Sequence, residues 1–199
     1  MTTIYLIRHG QASFGAESYD QLSPNGELQA KLLGRYFERI LKEAPYVVAG
    51  SMQRHQQTAQ LALAECFPEV EIQTDSAWNE FNHQQVFAQY EPRFNHPELM
   101  KQDVAKEVNP RAYLAKIFEG AIERWTGGEY HHEYEESWPH FKQRVEDALQ
   151  NLCTDLAQKQ PRYAVVFTSG GVISVAAGKI LGLTPNKTFA LNWAITNSS

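Results

Sequence analysis

The stretch from Ile4 to Gly10 constrains the fold of this chain more than any other. It begins with four consecutive apolar or aromatic residues, a run too short to span a membrane and typical of a buried strand in a parallel sheet. The run ends in Arg8 and His9, at the end of the strand where open α/β sheets bind ligands, and Gly10 allows a sharp turn. An arginine beside a histidine suits attack on a phosphoryl group. The alternative is a surface arginine next to a hydrogen-bonded strand-end histidine.

Strands and helices alternate along the rest of the chain and predict an α/β fold, a three-layer sandwich around a mostly parallel central sheet. Two further buried strands are predicted, at Tyr46–Ala49 and at residues 163–167. Residues 69–73 alternate apolar with polar and predict a strand near an edge of the sheet. Residues 192–196 predict one last strand close to the end of the chain.

The first helix is predicted to begin at Pro24, with Ser23 as its N-cap. Its apolar residues recur at helical spacing and predict one buried face. The residues of that face are Leu28, Leu32, Leu33, Tyr36, Phe37 and Ile40. Other helices are predicted to follow Gly50-Ser51, to start at Pro110 and Ser137, and to cover residues 172–181. We expect a single domain over residues 1–199, with an insertion at about 84–136.

Composition excludes several classes of protein. The chain has 199 residues, 43% of them hydrophobic, which is enough for one domain with a real core. Its net charge of −5 and the absence of a basic run argue against a nucleic-acid partner. Met1 leads directly into the first strand, so neither a secretory signal nor a membrane anchor is expected. Cys66 and Cys153 show no metal or redox spacing and are predicted to be buried free thiols of a cytoplasmic protein. The oligomeric state stays open.

Polar side chains follow four of the predicted strands. They are Arg8 and His9, Ser51 and Arg54, Glu80, and the run Thr168-Ser169-Gly170-Gly171. The carboxyl ends of parallel strands meet at one edge of a sheet, so we expect these residues to share a pocket. Two arginines there would clamp phosphoryl oxygens, and the glycine-rich helix start would add backbone N–H donors. A carboxylic acid would protonate the leaving oxygen.

Short motifs along nearly the whole chain match one known family. They comprise Ile4 to Gln11, Leu22-Ser23, Gly26, Gln29-Ala30, Ser51, Arg54, Gln57-Thr58-Ala59 and residues 167–173. With these residues the chain resembles the histidine phosphatase superfamily, and its phosphoglycerate mutase-like branch in particular. The resemblance implies a small helical cap at about 84–136 and transient phosphorylation of His9. It also implies that Arg8 and Arg54 hold the phosphate and that Glu80 is the acid and then the base for water. No metal and no cofactor are expected.

The sequence departs from the family pattern in three places. Ser169 stands where the family has a second histidine. Ala12 and Gly15 stand where the family commonly has a Ser or Thr and an Asn, and Ser13 could substitute for part of that function. The chain also stops at Ser199, where the family usually continues. The predicted substrate-binding residues are therefore Arg8, Ser13, Arg54, Ser169 and Gly170.

The serine at position 169 bears most on activity. A charged hydrogen bond from an imidazolium is worth ~1.5–3 kcal/mol, whereas a serine donates only a neutral one. We expect Ser169 to point into the pocket and to contact phosphate directly or through water. The variant Ser169→His is then predicted to raise the rate. If His55 or His83 fills the vacant space, the same variant would instead add nothing or cause a clash.

These observations favour a phosphomonoester hydrolase that acts through a phosphohistidine on a small phosphorylated molecule or a phosphoprotein. A mutase is less expected, because nothing in the altered pocket indicates a phosphoenzyme protected from water. The alternative is a non-catalytic phosphoryl-binding module, since arginines and a helix start bind phosphate without turning it over. An unrelated nucleotide-binding α/β domain lacks its Gly-x-Gly-x-x-Gly or Walker sequence here.

Overall fold

The protein is described by a computed structural model that covers residues 1–13, 20–192 and 194–199. Its strands are β1 (Thr3–Arg8), β2 (Tyr46–Ala49), β3 (Ile72–Thr74) and β4 (Tyr163–Thr168). They form a parallel sheet in the order β1-β4-β2-β3, with Arg8 opposite Thr168 and Ala49 opposite Phe167. The predicted parallel sheet is confirmed. The edge strand was expected at residues 69–73, and β3 lies at the edge but begins at Ile72.

Helices cover both faces of the sheet and extend beyond it. They are α1 (Pro24–Ile40), α2 (Gln53–Ala64), α3 (His83–Tyr90), α4 (Pro97–Lys106), α5 (Pro110–Thr126), α6 (Trp138–Lys159), α7 (Gly170–Leu181) and α8 (Pro185–Asn192). Short 3₁₀ turns occur at Ser76–Trp78, Pro92–Asn95 and His131–Glu133. None of the helices within the described part of the chain is long and apolar enough to cross a membrane.

The central strand β4 separates two hydrophobic cores. Val165 and Phe167 pack with α1 and α2, whereas Ala164 and Val166 pack with α6, α7 and the aromatic residues around Trp125. Successive residues of a strand point to opposite faces, so every residue of β4 is buried without any helical periodicity. The three-layer α/β sandwich predicted from the alternation of strands and helices is confirmed.

Helix α1 begins as predicted but buries a different face. Ser23 accepts a hydrogen bond from the Gly26 N–H at 3.1 Å, as an N-cap does. The prediction that Leu28, Leu32 and Tyr36 are buried is wrong, because these side chains are 54%, 51% and 54% exposed. The buried stripe instead consists of Gly26, Ala30, Leu33, Gly34 and Phe37. Small residues dominate it because α1 packs closely on α2, and a Cβ on Gly34 would overlap the Ala62 carbonyl.

The segment between β3 and α6 is helical, and the assignment of about 84–136 as an insertion stays a prediction. Its early part around Pro92 and Pro97 contains α3 and α4. Helix α5 starts at Pro110 as predicted and buries Ala121, Ile122 and Trp125 in its second half.

The strand predicted at residues 192–196 is wrong. Asn192 is the last residue of α8, residues 194–199 form turns, and Trp193 lies outside the described residues. A short apolar run does not distinguish a strand from a helix, and here Phe189 anchors a helix in the aromatic core. The prediction of two buried thiols also fails in part, because Cys66 is half-buried and Cys153 is exposed.

Candidate active site

The strand ends bring most of the predicted site residues together. His9 follows β1, and its N–H donates to the Thr168 carbonyl at the end of β4. Gly50, after β2, donates to the Phe167 carbonyl, so the turn into α2 lies on the other side of β4. Arg54 and His55 occupy the first turn of α2. The order β1-β4-β2 therefore places three chain segments, which are distant in sequence, side by side at one edge of the sheet.

His9 is buried, and both of its ring nitrogens have partners. Nδ1 lies 2.6 Å from the Gly10 carbonyl, and the Arg54 Nε–H donates to Nε2 at 3.2 Å. Since a carbonyl only accepts, this pattern assigns the proton to Nδ1 and leaves a lone pair on Nε2. Burial, and next the positive charge of Arg54, lower the pKa of His9 to about 3, against the opposing effect of the Gly10 bond. The imidazole is therefore neutral near pH 7, and its Nε2 lone pair accepts the Arg54 Nε–H.

Residues of the first two helices hold the turn after His9. The Gly10 N–H donates to Thr58 Oγ1, which in turn donates to the Arg54 carbonyl. A Cβ on Gly10 would overlap the Gly26 carbonyl of α1, so this close approach requires glycine. Two further bonds connect the following loop to the helices. The Gln11 N–H donates to Gln29 Oε1, and the Leu22 N–H donates to Gln57 Oε1, both at 2.8 Å.

Arg54 is only 5% exposed and lies between His9 and a carboxylate. Its Nη1 donates to Asp20 Oδ1 at 2.5 Å, and Asp20 also accepts from the Gln53 N–H. Asp20 was not predicted from the sequence, because an acid in a polar loop has the same local pattern as a solvated residue. Asp20 thus pairs with one guanidinium nitrogen of Arg54.

Arg8 is the last residue of β1, and its side chain lies beside the start of α7. Its guanidinium carbon is 3.6 Å from the point that a Cβ of Gly170 would occupy, and its Nη1 donates to the Ile195 carbonyl at 2.6 Å. The charges of Arg8 and Arg54 both reach His9 and Glu80, since each guanidinium lowers the pKa of both residues. Both arginines are therefore close enough to His9 and Glu80 to act on them electrostatically, and their role in phosphate binding stays a prediction.

Glu80 also contacts the first turn of α7. Its Oε2 accepts from the Gly171 N–H at 3.0 Å, and Oε1 accepts from the Phe81 N–H at 3.3 Å. A Cβ on Gly171 would overlap this carboxyl group. Burial raises the pKa of Glu80 above its usual value, opposed first by the Gly171 N–H and then by Arg54. A raised pKa keeps more of the carboxyl protonated, which a general acid requires.

Arg144 of α6 holds the segment that carries Glu80. Its Nη1 donates to the Ala77 and Asn79 carbonyls at 2.8 and 2.9 Å, and Glu136 binds the same guanidinium through two bonds of 2.7 and 2.8 Å. Thr168 Oγ1, at the end of β4, donates to the Trp78 carbonyl. The sequence analysis missed Arg144, because an arginine on the polar side of a helix usually faces solvent.

Ser169 is 1% exposed and pairs with a histidine that was only a secondary candidate in the sequence. Its Oγ lies 2.6 Å from Nε2 of His55, which is completely buried. The ring centroids of His55 and His9 are 5.6 Å apart. Burial, then His9 and Arg54, lower the pKa of His55. His55 thus fills the space beside Ser169, which is the condition under which Ser169→His is expected to add nothing or to clash.

The other candidates have more local contacts. Burial and next Arg54 lower the pKa of His83 to about 4, and its ring meets Phe87 edge to face.

The Ser13 hydroxyl donates to the Leu22 carbonyl, so it closes the loop, and a role for it in substrate binding stays a prediction. Ser51 is exposed and accepts from Asn79 Nδ2. Gly15 lies outside the described residues. Within residues 1–13, 20–192 and 194–199, no three His, Cys, Asp or Glu side chains cluster as metal ligands.

A comparison with protein-family profiles matches residues 4–199 to the histidine phosphatase superfamily (branch 1). The chain belongs to this superfamily. The family expected from the motifs is therefore confirmed, and the match extends across the helical segment between β3 and α6. No curated protein matches the chain significantly in sequence.

Several solved structures have the same fold as this chain. A phosphoglycerate mutase from Bacillus anthracis str. Sterne is 16% identical, with a TM-score of 0.63 over 89% of this chain and 79% of that one. A phosphoserine phosphatase variant from Entamoeba histolytica, in complex with phosphoserine, is 17% identical, with a TM-score of 0.62 over 96% and 85%. The α-ribazole phosphatase from Shigella flexneri is 21% identical, with a TM-score of 0.59 over 94% and 83%. These likenesses show the phosphoglycerate mutase-like fold.

Proposed function

We propose that this protein is a phosphomonoester hydrolase that acts through a phosphohistidine on His9. The observation that carries the proposal is the pair of bonds to the imidazole. The Gly10 carbonyl accepts from Nδ1–H, the Arg54 Nε–H donates to Nε2, and the ring is neutral. A neutral Nε2 held beside a guanidinium is the arrangement that a histidine nucleophile needs to attack phosphorus. Membership of a superfamily of phosphoryl-transfer enzymes supports it.

The reaction proceeds in two steps. As the substrate binds, the Arg54 Nε–H turns from His9 Nε2 to a phosphoryl oxygen. Nε2 then forms a bond to phosphorus while the ester P–O bond breaks, and the protonated carboxyl of Glu80 gives its proton to the leaving alkoxide. The Glu80 carboxylate then takes a proton from water, whose oxygen attacks phosphorus and releases inorganic phosphate and neutral His9. Arg8, Arg54 and the N-terminus of α7 stabilise the phosphoryl oxygens in both steps.

We propose a hydrolase rather than a mutase, acting on a small phosphorylated molecule or a phosphoprotein. The phosphoserine in the Entamoeba structure and the α-ribazole phosphate ester implied for the Shigella enzyme are phosphomonoesters, which supports this class. We further propose that residues 1–199 are one domain in which the segment 84–136 caps the pocket and selects the substrate. Two free cysteines fit a reducing compartment, so a cytoplasmic location is part of the proposal.

The second candidate, a phosphoryl-binding module without turnover, is favoured by two observations. Ser169 replaces the second histidine of the family pattern, and Asp20 already occupies Arg54. Such a module would bind phosphate or vanadate and turn over no substrate.

A panel of phosphomonoesters, assayed with and without vanadate, tests the proposal. We expect vanadate-sensitive release of phosphate and, after brief mixing with ³²P-labelled substrate, an acid-labile, alkali-stable label on the protein. His9→Ala should abolish both signals, while His140→Ala, an exposed histidine of α6, should keep them. Retention of most of the activity in His9→Ala, or an acid-stable label, would contradict the mechanism. Anion binding with no turnover on any substrate would favour the binding module.

A further inference from the structure

Two buried polar side chains near the proposed nucleophile have no part in the mechanism described above. His55 is 0% exposed and Ser169 is 1% exposed, and within the part of the chain that the structure describes their side chains hydrogen-bond to each other, at 2.6 Å. They come from different elements, since His55 lies in the first turn of α2 and Ser169 precedes α7. Burying an imidazole and a hydroxyl is unfavourable unless they are hydrogen-bonded, so this pair needs an explanation.

The surroundings are shaped to hold the imidazole. A Cβ on Gly50 would overlap His55 Nδ1, so the ring fits only because residue 50 has no side chain. Ser169 is the N-cap residue of α7, yet its hydroxyl makes no capping bond to that helix. A serine at this position usually caps its helix, and here the hydroxyl contacts His55 instead.

The hydrogen-bond pattern assigns the protons of the pair. His55 Nδ1 has no hydrogen-bond partner among the described residues. A buried N–H without an acceptor is rarer and more costly than a buried lone pair without a donor. The proton of the neutral ring therefore belongs on Nε2, from which it donates to Ser169 Oγ. The hydroxyl proton of Ser169 is then directed away from His55.

Ser169 borders the proposed phosphoryl site. The next residue, Gly170, lies against the Arg8 guanidinium, and the His9 and His55 rings are 5.6 Å apart. We propose that Ser169 donates its hydroxyl proton to the phosphoryl group transferred to His9, and that His55 is a positioning residue that orients this hydroxyl. The inference rests on the proposed function, because it concerns the same site. Neutral His55 contributes orientation here and no positive charge.

A double-mutant cycle on kcat/KM for p-nitrophenyl phosphate tests the coupling. Loss of one preorganised donor should lower kcat/KM of Ser169→Ala by about 100-fold, mostly through kcat. His55→Leu keeps a buried side chain but removes the donor, and should lower kcat/KM by about tenfold, the size of one neutral hydrogen bond. The double variant should be no slower than Ser169→Ala, because His55 acts only through the serine. His55→Gln, whose amide N–H can still donate, should recover most of the loss.

Matched controls separate positioning from packing. Leu63→Ala removes another buried side chain of α2 without contact to Ser169, and should lower the melting temperature while leaving kcat/KM unchanged below it. ¹⁵N NMR of the histidine-labelled wild type reports the tautomers directly. We expect a Nδ1–H tautomer for His9 and a Nε2–H tautomer for His55, with the signals assigned from His9→Ala and His55→Gln spectra.

The outcomes distinguish this inference from the proposed function. If wild type is active and His9→Ala is not, the hydrolase stands. In that case multiplicative effects in the cycle, an unchanged rate in Ser169→Ala, or a Nδ1–H tautomer of His55 overturns the inference alone. If wild type turns nothing over, vanadate affinities replace the rates. Weaker, non-additive binding by Ser169→Ala and His55→Leu would then support the donor and refute the hydrolase, whereas unchanged binding would refute both.

Discussion

The strand ends and the helical segment formed by α3, α4 and α5 differ sharply in how they are held. At the strand ends, His9, Arg54 and Ser169 are at most 9% exposed, and each has hydrogen-bond partners from other elements. None of the described side chains of α4 is buried, and the long hydrophobic side chains of Leu99 and Leu114 are 37% and 38% exposed. The ion pairs of α4 are surface pairs, which contribute little to stability.

This contrast separates two tasks. The proposed chemistry rests on side chains that packing and buried hydrogen bonds hold rigidly, which catalysis by preorganised groups requires. The segment we propose as a cap is held by fewer buried contacts, so its sequence can vary without disturbing the sheet. We therefore expect substitutions at the strand ends to slow every substrate, and substitutions in α4 to change at most the choice of substrate.

The largest effect is expected for Glu80→Gln with an alkyl phosphate. The variant cannot protonate the leaving oxygen, so kcat/KM should fall by about 1,000-fold, and by much less with p-nitrophenyl phosphate, whose leaving group needs no proton. Because Glu80 must be protonated and its pKa is raised, the wild-type rate with alkyl phosphates should fall as pH rises through that pKa. Equal losses on the two substrates, or an unchanged alkaline limb in Glu80→Gln, would show that Glu80 is not the acid.

Arg54→Lys is expected to lower kcat/KM by about 100-fold. A lysine cannot contact His9 and a phosphoryl oxygen through separate nitrogens of one planar group. Steady-state kinetics and vanadate titration would measure the change. Arg93→Lys is the matched control, since Arg93 is half-exposed and pairs with Asp103 beside α4. If both variants retain wild-type rates, the contrast between the two regions fails.

Arg144→Met is expected to lower kcat by about tenfold, with little change in KM. The substitution removes the bonds to the Ala77 and Asn79 carbonyls that hold the segment before Glu80, so a general acid displaced by a fraction of an ångström is less effective. The loss should be larger for alkyl than for aryl phosphates, as for Glu80. Glu136→Gln, which keeps a hydrogen-bond acceptor for Arg144, should be milder. A loss that is equal for both leaving groups would indicate general destabilisation instead.

The effect that is smallest at neutral pH concerns the stability of the fold, because it develops only in acid. The folded-state pKa values of His9 and His83 are lowered to about 3 and about 4, so between these values and 6.5 the unfolded chain binds protons that the folded chain does not. This proton uptake does not reduce stability above pH 6.5. Below pH 6.5, each such histidine should reduce the free energy of unfolding by about 1.4 kcal/mol per pH unit. Urea titrations at several pH values measure the slope. His9→Gln should flatten it, and His96→Gln, an exposed histidine before α4, should not.

Much of the fold could be predicted because it depends on patterns between near neighbours in sequence. Continuous apolar runs of four to six residues predict buried parallel strands, and Ser23-Pro24 predicts the start of α1. The same reasoning failed where spacing does not specify the burying partner. Leu28, Leu32 and Tyr36 have the spacing of a buried face, but α2 packs on the neighbouring stripe of small residues. The strand predicted at residues 192–196 does not form, because Phe189 packs α8 in the aromatic core and this helix extends to Asn192.

The sequence by itself determined the parallel sheet, the strand ends that carry Arg8, His9 and Arg54, and membership of the superfamily. These follow from local periodicity and from short motifs, which neighbouring residues specify. Only the tertiary structure decided that Arg144 holds the loop before Glu80, that Asp20 pairs with Arg54, and that His55 pairs with Ser169. The last pair is 114 residues apart in sequence. Such contacts depend on which elements the fold brings together, and no local pattern encodes them.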